Sequence, residues 1–172
     1  MTVLIVGGAA SGKSEAAEAR ILQSNASPRI YVATMQVWDE ESRRRVEKHR
    51  QMRKEKAFLT LEAPANLLAA AQKVPAGSAV LLEDITNLCA NEMFDPAGAG
   101  KKAQTAILAG VRALQEKCAL LVIVSGDVAS GGSEYEGETL EYMKLLAKTN
   151  IAIANEADEV YEAAAGVLVR HK

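Results

Sequence analysis

The sequence predicts an α/β protein built on a mostly parallel β-sheet with helices on both faces. Short apolar segments rich in β-branched residues alternate with longer segments of helical composition, and this alternation is typical of βαβ units. Turns that contain glycine or proline separate the segments. The 172 residues contain no internal repeat and no linker-like stretch, so we expect one domain over residues 1–172.

The N-terminal segment carries a phosphate-binding pattern in the context that the pattern requires. An apolar strand is predicted at residues 2–6, GGAASGKS fits G-x-x-x-x-G-K-[ST], and residues 15–23 have helical composition. Glycines let backbone N–H groups turn toward phosphate oxygens, and the helix adds its positive end. An ordinary glycine-rich turn is the alternative, but the context favours a P-loop for a nucleoside triphosphate or a similar polyphosphate. Its predicted binding residues are Gly7, Gly8, Ala9, Ala10, Ser11, Gly12, Lys13 and Ser14.

Two side chains of this loop have specific expected roles. Lys13 can reach the terminal phosphates and is a catalytic candidate, and the Ser14 hydroxyl can ligate Mg²⁺. The expected fold is therefore that of a P-loop NTPase with a RecA-like sheet.

The remaining elements follow the same alternation. Further strands are predicted at residues 29–34, 58–61, 79–82 and 119–124, and further helices at residues 37–56, 65–73, 101–117 and 139–157. Residues 85–94 predict a helix or a helical loop. Residues 125–137 are rich in glycine and serine and predict a mobile loop. The segments 159–161 and 167–169 predict either a final strand or a hairpin around Gly166, which would add an antiparallel strand at the C-terminus.

Composition excludes several classes of protein. The net charge is −2 and aromatic residues make up 4% of the chain, which argues against nucleic acid as a partner. No apolar run approaches the roughly 20 residues of a membrane span, and the N-terminus enters a strand without a leader-like segment. Cys89 and Cys118 lack CxxC spacing and are predicted to be reduced core residues. We therefore expect a cytoplasmic location.

Two adjacent carboxylates close the strand predicted at residues 79–82. Glu83 and Asp84 follow the apolar run of LLED, at the sheet edge where α/β proteins collect ligands. In P-loop proteins such a carboxylate helps to hold Mg²⁺, whereas the alternative is an ordinary helix N-cap. Spacing alone does not separate the two residues. Neighbours on a strand point to opposite faces, so only one is expected to face the phosphates.

His49 lies in the predicted helix at residues 37–56, among arginines and lysines. Positive neighbours favour the neutral imidazole, which is the nucleophilic form, and guanidinium groups would stabilise a phosphate. An exposed histidine on a solvated helix fits the same spacing, so both interpretations stay open here. The other histidine, His171, is the weaker candidate because it lies at the chain end.

Four stretches resemble one known family. GGAASGKSEAAEA, YVATMQ, DEESRRRVEKHRQMR and LLEDITNLCANEMF are similar to segments of the bifunctional cobinamide kinase / cobinamide-phosphate guanylyltransferase family of vitamin B12 assembly. A looser match is NEADEVYEAAAG near the C-terminus. The resemblance implies two GTP-dependent reactions: phosphorylation of adenosylcobinamide, then transfer of GMP to the cobinamide phosphate through a guanylylated histidine.

The resemblance also implies roles for individual residues. His49 corresponds to the guanylylated histidine, and a homotrimer is implied, with the nucleotide site near a subunit interface. The substrates would be a corrinoid and GTP, or ATP in the kinase step. The P-loop context, rather than the resemblance, makes Ser14, Glu83 and Asp84 the candidate Mg²⁺ ligands. Beyond the P-loop, the implied nucleotide-binding residues are Thr34, Met35, Gln36, Arg50, Arg53, Glu62 and Glu83.

The chain departs from the family pattern in its second half. SGDVASGG stands where the family has Asn-Glu-Val-Gly, and LEYMKLLAKTN replaces an Arg-x-Phe-Arg-Asp run, with only Asn150 matching. In the family these segments help to form the corrinoid side of the site. Two alternatives therefore stay open: a small-molecule P-loop kinase without covalent guanylylation, and a nucleotide-binding regulator without turnover.

Overall fold

The computed structural model describes residues 1–36, 56–127 and 135–172. Seven strands in these ranges form a single sheet. They are β1 (Thr2–Gly7), β2 (Arg29–Ala33), β3 (Phe58–Glu62), β4 (Ala79–Glu83), β5 (Leu120–Gly126), β6 (Glu159–Ala164) and β7 (Val167–Arg170). Their order across the sheet is β3-β2-β4-β5-β1-β6-β7.

Five α-helices connect or follow these strands in the same three ranges. They are α1 (Lys13–Leu22), α2 (Leu67–Gln72), α3 (Ile85–Phe94), α4 (Ala103–Lys117) and α5 (Gly137–Glu156). A 3₁₀ turn at Gly100–Lys102 precedes α4. Of the helices in the described ranges, none combines the length and the apolar composition that crossing a membrane would take.

The sheet is parallel except at its C-terminal edge. Every neighbouring pair is parallel apart from β6 and β7, which form an antiparallel hairpin. The hairpin turns at Ala165 and Gly166, both with positive φ (49° and 80°), so the hairpin alternative is the correct one. Because β1 to β6 are parallel, their carboxyl ends meet at one edge, which is where ligands bind in such folds. The predicted fold class is confirmed.

The two faces of the sheet are covered unequally. On one face, α1 packs Ala17 and Ile21 against strand residues that include Ile5, Leu81 and Val122. On the other face, α2 to α5 pack against Leu4, Leu82 and Ile123, among other strand residues. The helix side chains on that second face include Leu67, Ile85, Leu88, Ile107, Leu114, Leu146 and Ile153. Alternation of apolar residues along each strand thus feeds two separate cores.

Several predicted boundaries were wrong by a few residues. The helix predicted from residue 65 begins at Leu67, because Asn66 adopts φ +52° and its side chain accepts a hydrogen bond from the Ala69 amide. Strand β5 continues through Gly126, into the segment predicted as a loop. The helix predicted at residues 37–56 lies outside the described residues, apart from Lys56, and so do residues 128–134 of the predicted mobile loop.

Both cysteines are free and buried, as predicted. Burial raises the pKa of the Cys89 thiol to about 12 and that of Cys118 to about 11. Thiols with such pKa values are poor nucleophiles at neutral pH, so these residues serve packing.

Candidate active site

The loop between β1 and α1 has the backbone shape that phosphate binding needs. Ala10 and Gly12 both have positive φ, 54° and 89°, and Gly12 caps the start of α1. The Lys13 Nζ donates a 2.9 Å hydrogen bond to the Gly8 carbonyl, which folds the lysine back over the loop. A phosphate oxygen can replace that carbonyl as the acceptor, so Lys13 is poised over the cradle.

The β6–β7 hairpin packs against this loop and hydrogen-bonds to it. The Gly166 amide donates to the Ser11 carbonyl at 3.0 Å, and a Cβ added to Gly12 would lie 3.3 Å from the Gly166 Cα. A Cβ added to Gly7 would lie 2.5 Å from the Ala163 carbonyl oxygen, inside normal contact distance. The glycines therefore serve the close approach of the hairpin as well as the approach of phosphates.

Glu83 is the carboxylate that meets the P-loop. Its Oε1 accepts a hydrogen bond from the Ser14 hydroxyl, and its Oε2 accepts one from the Tyr31 hydroxyl at 3.1 Å. Burial raises the pKa of Glu83, although both hydrogen bonds oppose that shift. The tyrosine therefore helps to keep the buried carboxylate charged. Sequence reasoning missed this role of Tyr31, because the sequence places the residue only within a predicted apolar strand.

Asp84 is committed to different partners. Its Oδ1 accepts from the Asn87 amide at 2.7 Å, so it caps α3. Burial raises its pKa, while the Asn87 hydrogen bond and the Lys13 charge lower it. The Glu83–Asp84 peptide bond is cis. The two adjacent carboxylates thus divide the roles that spacing could not separate: Glu83 contacts the P-loop serine and Asp84 caps a helix.

The Ser14–Glu83 pair has donors suited to Mg²⁺. A hydroxyl and a carboxylate lie in contact beside the phosphate cradle, and Mg²⁺ in phosphate-binding sites is held by one or two protein oxygens, waters and the phosphates. Among the described residues no group of three His, Cys, Asp or Glu side chains could hold a metal by itself. The Ser14 hydroxyl and the Glu83 carboxylate therefore fit two of the oxygen ligands of Mg²⁺.

Hydrogen bonds to Asp84 and Asp95 fix the predicted turn at Thr34, Met35 and Gln36. The Thr34 hydroxyl donates to the Asp84 carbonyl at 2.8 Å and accepts from the Asp84 amide at 2.7 Å, so it ties the turn to the end of β4. Gln36 Nε2 donates to Asp95 at 2.9 Å. Met35 is 42% exposed, so it is the member of this turn whose side chain faces outward.

Asn91 of α3 anchors the same turn. Its Nδ2 donates to the carbonyls of Thr34 and Pro64, both at 2.8 Å. It thereby joins the turn after β2 to the turn after β3. Next to it, buried Glu92 accepts from the Asn66 and Ala99 amides. Asn91 was missed as a functional candidate because both of its partners are backbone atoms that only the fold brings near.

Glu62 and Glu83 end two strands that flank β2. Both are in register with Ala33, so their side chains leave the sheet on the same face, roughly 10 Å apart at the backbone. Ala33 between them is buried and packs with Tyr31 and Phe58. His49, Arg50 and Arg53 lie outside the described residues.

Comparison with known proteins identifies the family. A family described as "CobU: Cobinamide kinase / cobinamide phosphate guanyltransferase" matches residues 3–171. The chain belongs to this family. The bifunctional adenosylcobalamin biosynthesis protein CobU of Escherichia coli K12 is 32% identical, and that of Salmonella typhimurium LT2 is 30% identical. Each alignment spans 185 residues and covers 100% of both chains.

A solved structure supports the fold independently of the CobU family. A KaiC-like protein from Pyrococcus horikoshii OT3 superposes with a TM-score of 0.52 at 14% identity, covering 94% of this chain and 71% of its own. At that identity the likeness concerns the fold alone. This CobU family member thus combines a P-loop NTPase sheet with the Ser14–Glu83 and Asn91 contacts described above.

Proposed function

We propose that this chain is a bifunctional transferase of adenosylcobalamin biosynthesis, with the two activities named for its family. As a kinase, it would move the terminal phosphoryl group of GTP or ATP to the hydroxyl of adenosylcobinamide, leaving the nucleoside diphosphate. As a guanylyltransferase, it would join GMP from a second GTP to that phosphate and release pyrophosphate. The observation that carries the proposal is the Ser14–Glu83 contact beside an intact P-loop, in a chain matched by the family over residues 3–171.

The phosphate groups would be held by the loop itself. The backbone amides of residues 8–14 and the Lys13 ammonium supply donors, and α1 adds its positive end. The Ser14 hydroxyl and the Glu83 carboxylate would hold Mg²⁺. When bound, Mg²⁺ neutralises charge on the transferring phosphate groups. Glu83 must be ionised for this role, and the hydrogen bonds from Ser14 and Tyr31 favour its charged form.

The guanylyl step would use His49 as a nucleophile. Its neutral imidazole nitrogen attacks the α-phosphorus of GTP, a P–N bond forms, and the bond to the pyrophosphate oxygen breaks. The cobinamide phosphate oxygen then attacks the same phosphorus and releases the histidine. Support comes from the family resemblance of DEESRRRVEKHRQMR and from the basic neighbours Arg50 and Arg53.

Guanine would be recognised on the side of the sheet that holds Glu62. A carboxylate can accept both N–H donors on the Watson–Crick edge of guanine, which adenine does not offer as a pair. Glu62 and Glu83 emerge on one face of the sheet around Ala33. Because Glu83 is already engaged with Ser14, we assign the metal side to Glu83 and the base side to Glu62.

An intact-mass measurement tests the covalent step. The protein is incubated with Mg²⁺ and GTP at neutral pH, and we expect a mass gain of one GMP in the wild type and none in His49→Ala. Gln51→Ala, an uncharged neighbour in the same segment, is the matched control and should gain the mass. Labelling that persists in His49→Ala overturns the assignment of His49. No gain in the wild type, with GTP binding confirmed separately, would favour a kinase without covalent guanylylation or a regulator.

A homotrimer and a cytoplasmic location complete the proposal. Strand β7 lies at the sheet edge and all four of its residues are exposed, including Val167, Leu168 and Val169 at 41–62%. An exposed apolar edge strand is a surface that soluble proteins normally cover, which supports an assembly through this edge. Sedimentation that gives a monomer would contradict the trimer. The free, buried cysteines are consistent with a reducing compartment.

A further inference from the structure

A cavity of about 700 Å³ lies between the P-loop and the β6–β7 hairpin. Gly7, Gly8 and Ser11 line it on the loop side, and Ala163 and Ala164 line it on the hairpin side. Pockets for small molecules and cofactors enclose about 300–1,000 Å³, so a nucleoside fits this volume. The alanines leave the space open where larger side chains would fill it.

Polar side chains stand around this cavity. Asp127 follows β5 and its amide donates to the Gly7 carbonyl at 3.2 Å. The His171 Nε2 lies 3.1 Å from a carboxylate oxygen of Glu162, and both residues line the cavity. The His171 amide also donates to the Val160 carbonyl at 2.8 Å, so this histidine is held by the sheet.

One buried polar atom also marks the loop wall of the cavity. Ser11 is 7% exposed, and its hydroxyl has no hydrogen-bond partner within the part of the chain that the structure describes. Buried hydroxyls are normally satisfied. Ser11 belongs to the P-loop and lines this cavity, so the orphan hydroxyl points to a ligand that bridges the loop and the cavity.

We propose that this cavity is the nucleoside site of a triphosphate whose phosphates occupy the P-loop, with Glu162 and His171 contacting the base or ribose. This rests on the proposed function, which supplies the two transfer reactions and the nucleoside triphosphate on the P-loop. The carboxylate accepts from ribose hydroxyls or base N–H groups, and the imidazole supplies a donor or an acceptor. The site lies on the opposite side of the P-loop strand from Glu62 and Glu83, because β1 separates β6 from β5 and β4 in the sheet.

Two nucleoside positions suit a protein with two transfer reactions. The phosphoryl donor must present its terminal phosphorus to an acceptor, whereas the guanylyl donor must present its α-phosphorus to a histidine. The proposed guanine site at Glu62 lies on one side of the P-loop, and the hairpin cavity lies on the other. One P-loop could therefore hold the phosphates of a nucleotide in either of the two orientations.

Equilibrium binding separates the cavity from the phosphate cradle. We would titrate ATP, GTP and inorganic tripolyphosphate, each with Mg²⁺, into the wild type, His171→Ala and Glu162→Gln. Side chains 171 and 162 are 54% and 57% exposed, so these changes remove little core packing, and Glu162→Gln keeps the shape if His171→Ala folds poorly. Arg170→Ala is the matched control, because Arg170 neighbours His171 but does not line the cavity.

We expect both cavity variants to bind ATP, GTP or both about tenfold more weakly, while tripolyphosphate affinity stays within about twofold of the wild type. Loss for ATP alone or for GTP alone identifies which nucleoside the cavity takes. Unchanged nucleotide affinity in both variants overturns the proposal, and so does an equal loss for tripolyphosphate, which would mean that the hairpin only braces the loop. Guanylylation of His49, measured by mass at saturating GTP, reports on the proposed function separately.

Discussion

The Tyr31 hydroxyl donates a 3.1 Å hydrogen bond to the Glu83 carboxylate that also accepts from Ser14. The tyrosine is 8% exposed and its ring stands edge-on to Phe58, 6.4 Å away between centroids. Strand β2 thus fixes a hydroxyl beside the carboxylate that faces the phosphate cradle. The charge state of Glu83 therefore depends on Tyr31, which lies two residues before the end of β2.

Tyr31→Phe should weaken Mg²⁺-dependent nucleotide binding about tenfold. A hydrogen bond to a charged group contributes roughly 1.5–3 kcal/mol, and its loss raises the pKa of Glu83 further because the bond favours the charged form. The midpoint of the pH dependence of binding should therefore move to higher pH. Titration of nucleotide affinity against pH measures both effects.

Tyr142→Phe is the matched control for this prediction. Its hydroxyl donates a bond of the same length, 3.1 Å, to the Thr86 carbonyl rather than to Glu83. It should cost stability without moving the pH midpoint. Equal midpoints in the wild type and Tyr31→Phe would show that the tyrosine does not tune Glu83.

Glu83→Gln should stabilise the nucleotide-free protein at neutral pH while abolishing Mg²⁺-dependent binding. Burial raises the folded-state pKa of Glu83 above its ordinary value of 4.5, so the folded protein binds more protons than the unfolded chain between the two values. The free energy of unfolding therefore falls as pH rises through that window. Glutamine does not titrate. The free energy of unfolding of Glu83→Gln should therefore exceed that of the wild type above the window, and this difference should disappear below pH 4.5.

Urea unfolding at a series of pH values checks the sign. Asp84 also has a raised pKa, and its charge is one cause of the raised pKa of Glu83, so the comparison reports on Glu83 together with its coupling to Asp84. Glu116→Gln, at an exposed position of α4, should leave the profile unchanged. Parallel profiles for the wild type and Glu83→Gln would mean that burial of this carboxylate costs no free energy of folding.

Local pattern was enough to predict the fold class and the P-loop. The motif from Gly7 to Ser14 is contiguous, and its strand and helix neighbours are set by composition over a few residues. Residues 85–94 were predicted as a helix or a helical loop, and they form helix α3 at those bounds, Ile85–Phe94, because an N-cap residue and a break after it mark both ends.

Contacts between distant segments could not be predicted in the same way. The division of roles between Glu83 and Asp84 depends on partners in α1, β2 and α3, and Tyr31 acts through the register of β2 with β4. The hydrogen bond from the Gly166 amide to the Ser11 carbonyl joins two segments that lie near opposite ends of the chain. Even the start of α2 escaped prediction, since it rests on the left-handed backbone of Asn66.

Gly7→Ala and Gly8→Ala should differ sharply although both lie in the P-loop. A Cβ at Gly7 would lie 2.5 Å from the Ala163 carbonyl oxygen, whereas a Cβ at Gly8 would meet nothing within 4 Å. Overpacking of this kind costs about 1–3 kcal/mol, so Gly7→Ala should lower the free energy of unfolding by that amount. Gly8→Ala should stay within about 0.5 kcal/mol of the wild type. Equal effects in denaturant unfolding would show that the hairpin yields to the added methyl group.

Asn91→Asp should destabilise the protein by about 3 kcal/mol and raise the KM for nucleotide. The aspartate keeps the shape of the side chain but, when ionised, has no donor for the carbonyls of Thr34 and Pro64, which Asn91 contacts at 2.8 Å. Leaving buried acceptors unpaired beside a new charge costs the full desolvation penalty of these groups. The turn that carries Met35 and Gln36 would lose its anchor, so nucleotide binding should weaken together with stability.

Asn91→Ala separates the lost bonds from the added charge. This variant removes both hydrogen-bond donors without adding a carboxylate, so it should lower the free energy of unfolding by less, about 1–2 kcal/mol. Its KM for nucleotide should rise as much as that of Asn91→Asp. Asn155→Asp, on the exposed surface of α5, controls for the charge alone and should change neither quantity. An unchanged KM in Asn91→Ala would mean that the turn after β2 keeps its position without this anchor, and that Asn91 serves stability only.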